Sequence, residues 1–138
     1  MPAGKRWIEV AAGLLFRDGR LLVTQRSEGT HLAGLWEFPG GKREAGETWE
    51  ACLERELREE LDAVVDVGPL FEEVHHEYPV KAVHLRFFLC RLRYGEPRAV
   101  DCAAVAWVER DRLREFAFPA ADFTLIRRLE TTPSVWES

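Results

Sequence analysis

Residues 40–60 read Gly-Gly-Lys-Arg-Glu-Ala-Gly-Glu-Thr-Trp-Glu-Ala-Cys-Leu-Glu-Arg-Glu-Leu-Arg-Glu-Glu, a glycine-rich turn running into a helix that crowds Glu56, Glu59 and Glu60 together. At about 3.6 residues per turn these three side chains share roughly 100° of arc. Carboxylates so placed repel by about a few tenths of a kcal/mol per pair. A helix built only for stability would interleave lysines there, although an acidic run is most often just a solvated face. Two details point to a bound cation. Leu53, Leu57 and Leu61 form an i, i+4, i+8 stripe that must face a core. Glu60 projects at the edge of that stripe, where a carboxylate is costly unless paired or metal-bound. Oxygen ligands of this kind suit a hard dication, Mg²⁺ or alternatively Mn²⁺.

The elements that must position these groups follow from local pattern. Residues 8–16 and 20–26 read as strands joined across Asp18-Gly19, a hairpin signal. Residues 27–34 form a loop, and a short extended piece at 35–38 is ended by Pro39-Gly40-Gly41. Thr48 suits an N-cap, with Glu50 in the first turn favourable to the helix dipole. The helix runs to Leu61. Further strands are expected at 64–70, 71–77, 82–93 and 104–108, with a turn at Gly95-Glu96-Pro97. In residues 82–93 Val83, Leu85, Phe87 and Leu89 alternate with His84, Arg86, Phe88 and Cys90, the pattern of a strand buried on one side and partly covered on the other. A helical turn at 111–115, a last helix at 122–130 and a tail at 131–138, from which Trp136 could dock, complete the chain. Strands and helices in this order suggest a mixed sheet between helices, α/β or α+β.

Read from Gly41, the spacing is Gly, five residues, Glu47, seven residues, then Arg55-Glu56-Leu57-Arg58-Glu59-Glu60. This resembles the Nudix box, the signature of hydrolases acting on nucleoside diphosphates linked to a further group. Asp62-Ala63 stands where the family pattern has glycine and an aliphatic residue. That glycine closes the helix in a left-handed conformation, which Asp adopts at a cost of about 1–2 kcal/mol. The change touches no metal ligand, so activity is expected to survive it. The resemblance extends to the MutT-like branch, which cleaves nucleoside triphosphates to a monophosphate and pyrophosphate. Arg26, His31 and Glu37-Phe38-Pro39-Gly40 precede the box as in that branch. Tyr78-Pro79, Glu96-Pro97, Asp101 and Phe118-Pro119-Ala120-Ala121-Asp122 follow it.

The resemblance implies an α/β fold, the Nudix α/β/α sandwich, over a single domain spanning residues 1–138. It implies Glu56, Glu59, Glu60 and the Gly40 carbonyl as metal ligands. Gly40 and Gly41 would let backbone approach an ion and phosphates closely, or simply make a tight turn. Arg55 is expected to orient a box carboxylate, the alternative being a plain i, i+4 pair with Glu59. Glu47 is either a structural acceptor or an outer ligand. Lys42 faces phosphate oxygens, and Asp101 is a metal ligand or general base. Arg26, His31, Leu35, Glu37, Phe38, Pro39, Tyr78 and Asp122 are expected around the nucleotide, Tyr78 by stacking on the base. In 8-oxoguanine-selective relatives an asparagine stands at position 122, able to accept from N7–H while donating to O6. Ionised Asp only accepts, which suits cytosine or guanine amine edges. Asp122 also reads as the N-cap of the last helix. The expected activity is metal-dependent pyrophosphohydrolysis of 8-oxo-dGTP or CTP and dCTP derivatives. Hydrolysis of another nucleoside diphosphate derivative such as ADP-ribose is one alternative. A nucleotide-binding module without catalysis is another, but it predicts missing box glutamates, and all are present.

With 138 residues, 46% of them hydrophobic, the chain suits one domain with a real core. A net charge of −5 without a basic tract argues against polymeric nucleic acid as a partner. Positive charge for a triphosphate must come locally, from a metal ion and a few Lys or Arg. No apolar run approaches the roughly 20 residues that span a bilayer. The opening residues lack a signal-peptide stretch, so the cytoplasm is the expected location, as monomer or homodimer. Cys52, Cys90 and Cys102 lack the spacing of a zinc site or a disulfide framework.

Overall fold

Asp18 and Gly19 both have positive φ (53° and 76°), the conformation a tight hairpin turn requires. In the computed structural model, which describes residues 6–137, they join β1 (Trp7–Arg17) to β2 (Arg20–Gln25). The remaining elements are β3 (Trp36–Glu37), β4 (Gly40–Lys42), α1 (Trp49–Leu61), β5 (Val64–Glu77), β6 (Ala82–Tyr94), β7 (Ala104–Glu109) and α2 (Phe123–Glu130). Strand order is β3-β2-β1-β6-β5, with β4 also paired to β1 and β7 to β2. β1 runs parallel to β6, from Trp7 opposite Ala82 to Leu15 opposite Cys90, and antiparallel to β2 and β4. The sheet is therefore mixed, as expected.

Period-two alternation sends successive side chains to opposite faces, and both faces are covered. Ala12, Leu14 and Phe16 of β1, with Leu21, Val23 and Phe87, meet Leu125, Ile126 and Leu129 of α2. Ala11 and Leu15, with Leu22, Phe88 and Cys90, meet Cys52, Leu53, Leu57 and Leu61 of α1. The leucine stripe of the acidic helix thus packs as its spacing requires. Thr48 caps α1 by accepting from Ala51 N–H at 3.0 Å. The helix ends at Asp62 in the left-handed region (φ 54°, ψ 39°).

Four local expectations are corrected. Gly40–Lys42 is not a simple turn: it pairs with β1, Ala12 opposite Gly40 and Val10 opposite Lys42. The backbones lie so close that a Cβ on Gly40 would sit 2.0 Å from the Ala11 carbonyl oxygen. Segments 64–70 and 71–77 are one strand, β5, whose register slips around Gly68 and Pro69. Asp122 makes no side-chain cap on α2; it ends a short 3-10 turn (Ala120–Asp122). The expected tail turns back through Pro133–Trp136. Trp136 is buried there against Phe16 (ring centroids 5.1 Å apart) and donates from Nε1 to the Leu129 carbonyl at 2.9 Å.

Candidate active site

α1 presents its acids at the edge of the sheet, opposite the β4 glycines. The Glu56 carboxyl lies where a side chain on Gly41 would go, 2.3 Å from an ideal Cβ. Arg55 gathers the neighbouring acids. Its Nε and Nη2 donate to the Glu47 carboxylate (2.6 and 2.9 Å), and its Nη1 donates to Glu56 Oε1 (2.9 Å) and Glu59 Oε2 (3.2 Å). It also reaches the Lys42 carbonyl at 3.3 Å. Arg55 thus contacts two box carboxylates and, with Glu59, makes the i, i+4 pair as well. Glu47 is a structural acceptor: it takes Arg55 and the Glu44 N–H (2.8 Å), and Arg55 pulls its pKa down to about 2. Lys42 is exposed beside this network.

Glu60 is different. Its Oε1 is buried with no hydrogen-bond partner among the described residues. Burial, followed by the charges of Glu37, Glu56 and Asp101, pushes its pKa up to about 8, only partly opposed by the Gly40 N–H. An unpartnered buried carboxylate ringed by acids is unstable unless protonated or met by a cation. No three His, Cys, Asp or Glu of the described residues form a metal cage as they stand. The donor set, hard carboxylate oxygens around an orphaned one, nevertheless fits a hard dication.

Asp101 is exposed on the loop before β7, its N–H donating to the Glu60 carbonyl at 3.1 Å. Glu37, on β3, pairs with Arg26 at 3.2 Å. Burial still raises the Glu37 pKa despite that guanidinium. Arg26 Nε donates to the His31 carbonyl at 2.6 Å, so these two meet through backbone, and the His31 residue is exposed. Burial and then Glu37 raise the Asp122 pKa to about 7. Glu37, Glu60, Asp101 and Asp122 are thus linked by mutual repulsion across one patch.

Not every expected contact is there. Phe38 is 5% exposed, between Phe118 (5.3 Å, nearly parallel) and Phe87 (6.0 Å, edge-on). Its ring shapes the wall from within and has little surface for a base. Pro39 is buried, its carbonyl accepting from Gly13 N–H at 2.8 Å. Leu35 is half-buried where loop 27–34 rejoins the sheet. Tyr78 sits in the β5–β6 turn against His76 (4.5 Å) and Lys81. Phe87, paired with Ala12, which itself pairs with Gly40 on β4, lies five residues beyond Ala82, roughly 16 Å along the strand. Tyr78 is not brought to the carboxylate patch. A cavity of about 630 Å³ bounded by Leu113, Phe116, Phe118, Phe123 and Arg127 is lined by none of the patch's acids. Sequence reasoning overlooked Arg98 and Cys102. Arg98 pairs with Asp62, and burial, followed by the charge of nearby Glu60 and more weakly of Asp101, pushes the Cys102 thiol up to about 11.

Comparison with known proteins gives this arrangement its family. A profile of the NUDIX domain matches residues 11–128. The chain is 42% identical to the 8-oxo-dGTP diphosphatase of Haemophilus influenzae over 126 residues, 91% of this chain and 93% of that protein. It is 34% identical to the CTP pyrophosphohydrolase of Escherichia coli, covering 88% and 90% respectively. The solution structure of the E. coli ORF135 protein superposes with a TM-score of 0.77 at 33% identity, over 89% of this chain and 88% of that one. With its signature glutamates grouped at the sheet edge and its mixed sheet between helices, the chain belongs to the Nudix hydrolase family.

Proposed function

We propose that this chain is a Mg²⁺-dependent nucleoside triphosphate pyrophosphohydrolase that clears 8-oxo-dGTP, or CTP and dCTP derivatives, from the nucleotide pool. The observation that carries the reading is the buried, unpartnered oxygen of Glu60 facing Glu37, Glu56 and Asp101. Relatives named 8-oxo-dGTP diphosphatase and CTP pyrophosphohydrolase support it from sequence. Glu56, Glu59, Glu60 and the Gly40 carbonyl would hold the ion, which supplies acidified water and neutralises charge on the displaced phosphate oxygens.

The reaction forms a bond from water oxygen to phosphorus and breaks a phosphoanhydride, releasing a monophosphate and pyrophosphate. Asp101, exposed beside Glu60, accepts the water's proton. Arg55 holds Glu56 and Glu59 in place, and exposed Lys42 meets phosphate oxygens as a point charge. Arg26 pairs with Glu37 in the patch, its charge partly opposing the burial that raises the Glu37 pKa.

Asp122 reads the base. Because it titrates near 7, it is not restricted to accepting. Protonated, it donates to O6 of 8-oxoguanine while its other oxygen accepts from N7–H; ionised, it accepts from the cytosine amine. The test is pyrophosphate release across a nucleotide panel with Mg²⁺ at pH 6 and pH 8. The ratio of kcat/KM for 8-oxo-dGTP over dCTP should fall roughly tenfold as Asp122 ionises. Asp122→Asn should abolish that dependence. A wide preference for ADP-ribose or a dinucleoside polyphosphate over every triphosphate contradicts the assignment.

A further inference from the structure

The carbonyls that α1 leaves free at its C-terminus are taken by the loop that carries Asp101. Arg98 N–H donates to the Leu61 carbonyl (3.0 Å), and both Val100 and Asp101 N–H donate to the Glu60 carbonyl (3.1 Å each). At the same helix end Asp62 adopts φ 54°, a conformation that glycine reaches without strain. Its carboxylate accepts from Arg98 Nη2 and Nε at 3.2 and 3.3 Å. A glycine here would close the helix more easily but would offer Arg98 no acceptor. Gly95, at the start of this loop, permits the approach: a Cβ there would lie 3.1 Å from the Asp62 carbonyl oxygen.

We propose that Asp62 and Arg98 are a positioning pair for hydrolysis, tying the Asp101 loop to the helix that carries the metal-binding glutamates. The kinetic consequence rests on the hydrolase reading given above; the mechanical one does not. Neither side chain touches substrate. Both are largely exposed, 63% and 67%, so the effect is modest, about threefold to fivefold.

The experiment compares Asp62→Gly, Arg98→Ala, Arg98→Lys and the Asp62→Gly/Arg98→Ala double variant with the parent. Asp62→Gly and Arg98→Ala should each lower kcat about threefold to fivefold at unchanged KM. The double variant should be no worse than either single, and Arg98→Lys should recover most of the loss. Asp62→Gly should not lower the melting temperature, because glycine relieves the positive φ. In an Asp101→Asn background neither change should slow turnover further. Amide exchange at residues 98–101 should quicken in Arg98→Ala. Parental kcat and parental exchange in Arg98→Ala would overturn the proposal. If the parent itself turns over no nucleotide, the functional reading fails separately, and exchange alone decides this one.

Discussion

Glu60 concentrates the electrostatic cost of the site in one side chain. Its carboxyl titrates near 8 in the folded protein against an ordinary 4.5. Between those values the unfolded chain has already lost a proton that the folded chain keeps. Its stabilising contribution is therefore complete below about pH 4.5 and lost as pH rises through 8. Metal-free protein should lose about a few kcal/mol of stability between pH 5 and pH 8. Glu37 and Asp122, also raised, act in the same direction. Thermal melts at the two pH values, with and without Glu60→Gln, check this. The variant should show a visibly flatter dependence, and identical curves would mean that Glu60 is ordinary. Some residue-level features were legible in the sequence, including the position of Glu60 at the rim of the leucine stripe. The burial of Phe38 and the displacement of Tyr78 were not, since both depend on which strands lie opposite them.

At the scale of elements, the β4 glycines show where a local rule misleads. Two glycines in a row read as a turn because glycine weakens strands. Here they let β4 pair against β1 and leave room for the Glu56 carboxyl. Gly40→Ala places a Cβ 2.0 Å from the Ala11 carbonyl oxygen, and neither backbone can yield without breaking the pairing. Loss of roughly 3 kcal/mol or more is expected, beyond the common range for a single substitution. Chemical denaturation measures it; a Gly40→Ala protein of parental stability would show that β4 does not pack as described. Helix α1 was legible from end to end, through Thr48, the leucine stripe and Asp62, because caps and periodicity are local. β5 was not legible as one strand, because its slip around Gly68 and Pro69 looks like a break when its partner β6 is unseen.

Across the whole molecule, two cores on opposite faces of one mixed sheet hold the acid-bearing helix and the Asp122 segment in fixed relation. Trp136 closes the α2 core from the far end of the chain, packing on Phe16 of β1. The sequence allowed that Trp136 could dock but not where, for a single Trp carries no periodicity. Trp136→Ala should cost about 3–5 kcal/mol and leave nucleotide selectivity unchanged, as read by thermal melting alongside the nucleotide panel. A negligible change would return residues 131–138 to the status of a tail. Among the described residues no helix is long and apolar enough to cross a membrane.

One titration bears on the whole scheme: Mn²⁺ binding followed by electron paramagnetic resonance, with turnover measured on the same samples at saturating metal, in the parent and in Glu60→Gln. Loss of groups that merely support metal ligands costs about 10–100-fold. Glu60→Gln should therefore weaken binding at least that much and slow saturated turnover, while its fold persists. Parental affinity together with parental turnover would contradict the claim that this buried acid exists to meet a dication.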